Sequence, residues 1–408
     1  MKFQPPKGTR DLLPEDAKKM QKLIDLFRGI AEKYGFKPLI TPAFESFELL
    51  SAKGGLGETV KDEMYYFKDK SDRELGLRFD MTMPLARVVS SNTQLRKPFK
   101  RYVIDKVWRY DNPQAMRWRE FYQADVDIVG SSSLVSDVEC LAVVSEFLDK
   151  LSFKDYFIRV NDREMIQVIF EKIINKEKIL DVFRIVDKLD KIGIDGIEKE
   201  LNKKGVNSKK IIEFFKEKKI EMSENLKEFF NLAKNFGIEK KLKFDISLMR
   251  GLEYYSGIVF EISLGEKVSC GGGGRYDNLI KTLGGSPMPA TGISLGLDRI
   301  FEVMKERKMF DEKSIKSKIF VANVNDEIKD EVIKLSTKIR KNDIPCEIDL
   351  MNRNLTKQLE YADSSEIPYV IIVGKNEVKK KKFKFKDMKK KTEKILSINE
   401  IIDFLKSS

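Results

Sequence analysis

Trp108-Arg109-Tyr110-Asp111-Asn112-Pro113-Gln114-Ala115-Met116-Arg117-Trp118-Arg119-Glu120-Phe121-Tyr122-Gln123-Ala124-Asp125-Val126-Asp127-Ile128-Val129-Gly130 closes one strand, crosses a loop and runs through a second strand. Residues 100–110 and 120–129 have the β-rich texture of paired strands, and residues 111–119 join them. Arg109, Arg117 and Arg119 cluster on the hairpin and its loop. Side chains alternate along a strand, so Gln123, Asp125 and Asp127 share one face while Ala124, Val126 and Ile128 share the other. A polar face turned inward is costly unless it lines a ligand site. A hairpin with one solvated face is the plainer alternative.

A second block, Arg250-Gly251-Leu252-Glu253-Tyr254-Tyr255-Ser256-Gly257-Ile258-Val259-Phe260-Glu261, puts an arginine, two tyrosines and two carboxylates on a stretch that runs into an apolar strand. An arginine followed by glycine has room to reach an anion. Adjacent tyrosines can wall a flat polar ligand. Alone, the block reads equally well as a strand end with a salt bridge.

The chain has 408 residues, too many for one compact core, so two or three domains are expected. No apolar run reaches the ~18–20 residues of a membrane span, and the N-terminus lacks a signal-like stretch, so a cytoplasmic protein is expected. Cys140, Cys270 and Cys346 are far apart and form no CxxC pair, which suits packing roles rather than zinc or disulfides. There is no histidine, which excludes imidazole-based triads and His-ligated metals. The net charge of +12 suits a polyanionic partner such as RNA, although lysine is abundant throughout.

Apolar residues at Met20, Leu23, Ile24, Phe27, Ile30, Ala31 and Tyr34 mark a helix entered through Pro14 and stopped at Gly35. A strand over 36–41, broken by Pro42, is expected next. The loop at 53–57 has glycines but no GxxxxGK[ST] pattern, so it is not a P-loop. A strand over 75–80 leads into Met81-Thr82-Met83-Pro84, and a capped amphipathic helix is expected over 137–151. Residues 161–243 are helical and rich in Lys, Glu and Ile, like an inserted module, with strand character returning over 244–261. After a linker at 314–317, strands and helices alternate through a small α/β domain. Near its end Lys382-Phe383-Lys384-Phe385-Lys386 gives a strand with one basic and one aromatic face, fit to contact phosphates.

Taken together, these blocks resemble a known family. Residues 108–130 resemble motif 2 of class II aminoacyl-tRNA synthetases, the helix and strand around Pro42 resemble motif 1, and residues 292–299 resemble motif 3. Arg250-Gly-Leu-Glu-Tyr-Tyr255 resembles the signature of the histidyl-tRNA synthetases. Residues 77–84, 186–190 and 273–277 fit the same family in its archaeal and eukaryotic form. The resemblance spans essentially the whole chain.

It implies an α+β catalytic domain over 1–316, whose class II antiparallel sheet of six strands is flanked by helices and carries a helical insertion at about 161–243. It also implies a C-terminal α/β anticodon-binding domain over 317–408 and a homodimer formed largely through motif 1. The implied reaction joins L-histidine to ATP, with Mg2+ and no permanently bound cofactor or metal, and passes the histidyl group to tRNA(His). By resemblance Arg109 and Arg250 are catalytic and take the α-phosphate, Arg299 takes the γ-phosphate, and Arg117 or Arg119 lies nearby. Tyr122, or Phe121 beside it, packs on adenine. Asp80, Thr82 and Gln123 meet the histidine ammonium, Asp127 and Tyr255 meet its imidazole, and Tyr254 and Tyr276 wall the pocket. Where many relatives carry Glu, this chain has the shorter Asp80 and Asp127. Histidine-sensing regulatory paralogues share the fold, but usually lack the anticodon domain and have lost the arginines that this chain keeps.

Overall fold

The computed structural model describes residues 3–52, 64–112, 116–217, 220–250, 254–265, 268–310 and 317–407. The loop at 53–57, linker residues 314–316, Gln114 and Glu253 lie outside them. The chain divides into two compact units, 1–309 and 310–408.

The strands of the first unit are β1 (Lys37–Pro38), β2 (Phe44–Ser46), β3 (Tyr66–Lys68), β4 (Glu74–Leu77), β5 (Phe99–Trp108), β6 (Glu120–Val129), β7 (Tyr156–Asp162), β8 (Leu242–Phe244), β9 (Ile258–Leu264), β10 (Val268–Arg275) and β11 (Ala290–Gly296). Eight of them form one sheet in the order β1-β5-β6-β11-β10-β9-β7-β8, and β2, β4 and β3 form a small separate sheet. The six central strands pair antiparallel, while β1 and β8 add parallel edges.

One face of the large sheet is covered by helices Pro14–Lys33, Leu134–Lys150 and Leu297–Glu306. The first buries the stripe Met20, Leu23, Ile24, Phe27, Ile30 and Ala31, and Phe27 meets Phe147 edge to face at 5.3 Å. Both rings are fully buried, each contributing about 1.5–3 kcal/mol in transfer terms. The opposite face carries the site, and the cluster of Phe79, Met83, Tyr254, Tyr276 and Val259 covers part of it.

Several expected boundaries move. The strand over 36–41 shrinks to Lys37–Pro38, because Pro38 and Pro42 limit ladder donors. The helix expected from Asp137 starts at Leu134, with the Ser133 hydroxyl accepting from the Val135 N–H, so Asp137 sits in its first turn. Strand character over 244–261 splits into β8 and β9, and Arg250 lies on the irregular segment between them. The described residues of the insertion form a series of helices between Arg163 and Asn235, which build their own core from Ile166, Phe170, Phe183, Ile211 and Phe215.

The second unit contains β12 (Ile319–Asn323), β13 (Cys346–Ile348), β14 (Tyr369–Val373), β15 (Phe383–Asp387) and β16 (Thr392–Leu396), in the order β13-β12-β14-β15-β16. Alternate residues of β12 and β14 enter two cores, Ile319, Val321, Ile371 and Val373 on one side and Phe320, Ala322, Val370 and Ile372 on the other. Strand β16 was not foreseen, since it is largely exposed and shows no apolar alternation; the helix Ile398–Ser407 was overlooked although Ile398, Ile401, Ile402 and Leu405 fall at helical spacing.

The buried pair Asp137–Arg275 ties the helix Leu134–Lys150 to the end of β10, and Arg275 also donates to the carbonyls of Ser131 and Ser133, each at 3.1 Å. Arg275→Met leaves the fully buried Asp137 without its counter-charge and is expected to cost about 3–5 kcal/mol. Adding Asp137→Asn should recover much of that loss. Calorimetric melting of both variants checks this, and an unchanged melting temperature for the single variant contradicts it.

Candidate active site

The antiparallel registers place site-face residues in rows across the sheet. One row runs Glu261, Gly272, Ser294, Asp125 and Val103 across β9, β10, β11, β6 and β5. The next runs Val259, Gly274, Gly292, Asp127 and Arg101. Glycines at the middle of these rows lower the floor, and the charged residues stand over it. The space they leave is already used. A methyl at Gly292 would lie 2.0 Å from Asp127 Oδ1, and one at Gly272 would lie 2.5 Å from Arg250 Nη1.

Of the thirteen buried side-chain polar atoms left without a hydrogen bond among the described residues, seven belong to Asp80, Arg101, Gln123, Asp125, Asp127, Arg250 and Ser294. Unpaired polar atoms are rare in protein interiors, so their concentration here marks a ligand site. A cavity of about 590 Å³ opens beside the tyrosine pair, lined by Arg163, Gln167, Tyr254, Tyr255, Asp277 and Asn278. It touches none of the unpaired groups of the floor, and those groups mark the site better than the cavity does.

At one end of the trench the charges are positive. Arg109 leaves β5 with Nε donating to the Phe79 carbonyl at 3.0 Å and its guanidinium 5.4 Å from the Phe121 ring. Arg299 donates to the Ser269 carbonyl, and its pKa is lowered by burial and by the nearby Arg117 and Arg109. Arginine stays charged regardless, so three guanidinium groups face one another in a setting that favours a polyanion. Arg250 adopts φ 54°, a left-handed conformation uncommon for a non-glycine residue. Its Nη1 stands 3.4 Å from Glu261. Burial disfavours its charge, but Tyr255, Glu261 and Asp187 more than offset this and raise its pKa. Glu261 is shared with Arg159, which also pairs with Asp245 at 2.7 Å and Asp190 at 2.6 Å.

At the other end the charges are negative and buried. Asp80 follows β4, and its Oδ1 accepts from the Met83 N–H at 3.1 Å. Burial raises its pKa against the opposing pull of the Met83 N–H and Arg109. Asp127 lies 2.7 Å from Arg101 and accepts from the Tyr276 hydroxyl at 2.5 Å. The aligned hydrogen bond of that Arg101 nitrogen goes to the Met81 carbonyl, so its contact with Asp127 is a close ion pair without hydrogen-bond geometry. Asp125 is pushed up to about 7 by burial and by Asp127, with Arg101 opposing. Tyr254 packs 4.7 Å from Tyr255 and 5.9 Å from Tyr276, and its hydroxyl adjoins Thr82 and Asp80.

The structure thus gathers Asp80, Thr82, Arg109, Gln123, Asp127, Arg250, Tyr254, Tyr255, Tyr276 and Arg299 around one trench, with Arg117 beside Arg299. Two expectations do not hold. Tyr122 points to the other face of β6, where it accepts Lys106 against its ring at 5.6 Å; strand alternation leaves Phe121 as the aromatic on the site face. Arg119 is consumed by the hairpin itself, with its guanidinium 4.0 Å from the Tyr110 ring, Nε donating to the Asp111 carbonyl, and its stem against Gly8. Arg101 and Arg159 were missed, since neither lies in a recognisable motif; their only signal is an arginine in register with an acidic residue on the neighbouring strand, Asp127 and Glu261 respectively.

A family sequence profile described as histidyl-tRNA synthetase matches residues 8–300, and one described as anticodon binding domain matches residues 318–408. The chain belongs to the histidyl-tRNA synthetase family. It is 38% identical to a histidine–tRNA ligase of Clostridium tetani over 98% of this chain and 97% of that one. It is 37% identical to one from Nanoarchaeum equitans over 94% of each. The crystal structure of histidyl-tRNA synthetase from Nostoc sp. PCC 7120 superimposes with a TM-score of 0.82 at 29% identity, covering 100% of this chain and 99% of that one. Within this synthetase fold the helical insertion reaches the trench through Asp187, beside Arg250, and Asp190, on Arg159.

The raised pKa of Asp125 has a thermodynamic sign. A carboxyl whose folded pKa lies above its unfolded value favours the protonated state on folding. The penalty is absent below about pH 4, grows between pH 4 and 7, and is complete above 7, reaching about 4 kcal/mol for a shift of this size. Asp125→Asn should therefore stabilise the ligand-free protein at pH 8, with the gain shrinking as pH falls toward 4. Melting curves across that range decide it; a pH-independent difference contradicts the assignment.

Proposed function

We propose that this chain is a histidine–tRNA ligase that forms histidyl-adenylate from histidine and ATP and then transfers the histidyl group to the 3′ ribose of tRNA(His). The observation that carries this reading is the division of one trench into a guanidinium end, Arg109, Arg117, Arg250 and Arg299, and an acceptor end, Asp80, Gln123 and Asp127. A triphosphate suits the first and an amino acid's ammonium the second.

In the first step an oxygen of the histidine carboxylate attacks the α-phosphorus of ATP and pyrophosphate leaves. The substrate brings its own nucleophile, so the protein's task is to hold the two groups in line and neutralise charge. Arg109 and Arg250 take the α-phosphate from two sides, since a guanidinium is permanently charged and binds phosphate through two donors. Arg299 and Arg117 take the outer phosphates, and Phe121 replaces Tyr122 as the wall against adenine. Asp80 and Gln123 accept from the ammonium, and Thr82, whose hydroxyl meets that of Tyr254, lines the same end. Asp127 has acceptor capacity left beyond Arg101 and Tyr276, and with Tyr255 it reads the imidazole, between the walls Tyr254 and Tyr276.

No group of three or more potential metal ligands converges among the described residues. This fits Mg2+ carried chiefly by ATP, because Mg2+ commonly takes only one or two protein carboxylates besides phosphate oxygens. Glu261, beside Arg250 and Arg299, is the carboxylate that would hold it. When bound, the ion neutralises phosphate charge.

In the second unit Phe383 and Phe385 are buried and Lys382 and Lys384 exposed, a basic face suited to the tRNA backbone. Among the described residues no helix is long and apolar enough to cross a membrane, consistent with work in the cytoplasm. A homodimer is supported by the exposed apolar residues Ile40, Phe44 and Phe67 in the motif 1 region. Phe44→Glu should shift the sedimentation coefficient toward the monomer; an unchanged value argues against this interface.

Histidine-dependent ATP–pyrophosphate exchange tests the central claim, which fails if histidine stimulates no exchange. Arg250→Ala should lower exchange at least ~100-fold by removing stabilisation of the developing charge, with melting behaviour retained. Gly292→Ala should do comparable damage by displacing Asp127, because a misplacement of about 1 Å costs ~100-fold.

A further inference from the structure

Asp125 stands on the floor of the trench between two residues already given roles, Gln123 and Asp127, and the reading so far does not use it. It is 2% exposed, and its Oδ1 has no hydrogen-bond partner. Its cross-strand neighbours are Val103 on β5, which offers no donor, and Ser294 on β11, whose hydroxyl lies close enough to favour the carboxylate but makes no aligned hydrogen bond to it. Asp127, two residues along, is held by Arg101 and Tyr276. The Thr82 hydroxyl adjoins that of Tyr254. Three acceptor atoms therefore remain unpaired toward the ammonium end: Asp80 Oδ2, Gln123 Oε1 and Asp125 Oδ1.

An ammonium group has three N–H donors and needs three acceptors. We propose that Asp125 is the third acceptor of the substrate's ammonium group and thereby makes the site select for an amine beside the carboxylate. The proposal rests on the reading of this site as one for histidine, and extends it to a residue that reading leaves idle.

The surroundings of Asp125 support the role. The charged groups that face it are Arg101 from β5, Asp127 on its own strand and Asp80 from the segment after β4; Ser294 faces it from β11. With two carboxylates and one guanidinium around it, a second cation is what the cluster lacks. In the empty site burial favours the protonated form of Asp125. An arriving ammonium favours the ionised form, so binding near neutral pH should expel part of a proton from this carboxyl. The chain has no histidine, so no protein imidazole contributes to that proton count.

The test compares two ligands on the full chain by titration calorimetry near pH 7: histidine, and 3-(imidazol-4-yl)propionate, which keeps the ring and carboxylate but lacks the amine. Asp125→Asn should weaken histidine about 10–100-fold, the worth of a hydrogen bond to a charged group, and change the propionate less than about 3-fold. Repeating the titrations in buffers of different ionisation heat should show wild type releasing more protons than Asp125→Asn when histidine binds, and no such difference between the two proteins with the propionate, so that the ligands' own imidazoles cancel. Equal weakening of both ligands means that Asp125 only supports the floor, and no weakening of either means that it is idle; each overturns the proposal. If Asp125→Asn melts abnormally, Asp125→Glu replaces it: retained preference for histidine over the propionate supports the role, and loss of that preference with normal melting overturns it. Failure of the wild type to bind histidine at all is a different result and defeats the functional reading itself.

Discussion

The ion pair of Arg101 with Asp127 is the interaction on which the trench depends. Both side chains are at most 2% exposed, on adjacent strands and in direct register. An unpaired carboxylate in that position would be strongly disfavoured. Arg101 makes it tolerable, and the Tyr276 hydroxyl aims it. Because Arg101 also bonds the Met81 carbonyl, the same guanidinium fixes the backbone that carries Asp80 and Thr82. One buried cation thus supports both acids at the amino-acid end. It also confines them, since the Asp127 carboxylate spans from Arg101 on β5 to the space above Gly292 on β11. The methyl-free Gly292 is the space that this arrangement requires.

The guanidinium end is built on the opposite principle. Arg109 and Arg299 are held by carbonyl oxygens, and their like-charged neighbours remain close. A carbonyl orients a guanidinium without neutralising it, so the positive field survives for a ligand. Glu261 moderates this field on one side, shared between Arg159 and Arg250. The two ends therefore differ in how their charges are balanced: internally at Asp127, and by an anion yet to arrive at Arg109, Arg117 and Arg299. That asymmetry gives the trench a direction, and it is the electrostatic form of preorganisation expected where charge develops on a phosphate.

Much of this was legible in the sequence, for identifiable reasons. Strand alternation alone put Gln123, Asp125 and Asp127 on one face of β6, and the ladder confirms that placement. The same rule, applied strictly, also separates Phe121 from Tyr122; the choice of Tyr122 ignored it. The bounds of β6 were read correctly because its ends coincide with a loop and a turn. The strand expected around Arg250 was not there, since β8 ends at Phe244 in a turn where Asp245 takes the Ser247 N–H on its carboxylate and the Leu248 N–H on its carbonyl, and no side-chain pattern announces the left-handed φ of Arg250. Arg101 and Arg159 were invisible for another reason. Each is an isolated arginine in a strand, and its meaning comes from the partner across the sheet, which depends on register and not on spacing.

Arg250 shows how the helical insertion enters the chemistry. Leu248 belongs to the apolar cluster around the tyrosines, whereas Met249 is fully buried in the core of the insertion. The chain therefore passes from one hydrophobic core to another within two residues, and Arg250 follows directly. Asp187, at the end of an insertion helix, faces the Arg250 backbone N–H and guanidinium, and Asp190 closes on Arg159 beside Glu261. Anchors on both sides account for a conformation that an arginine adopts only when its surroundings impose it. The insertion is thus part of what positions Arg250. Loosening its core would disturb the guanidinium end first and the acidic end, secured separately by Arg101, much less.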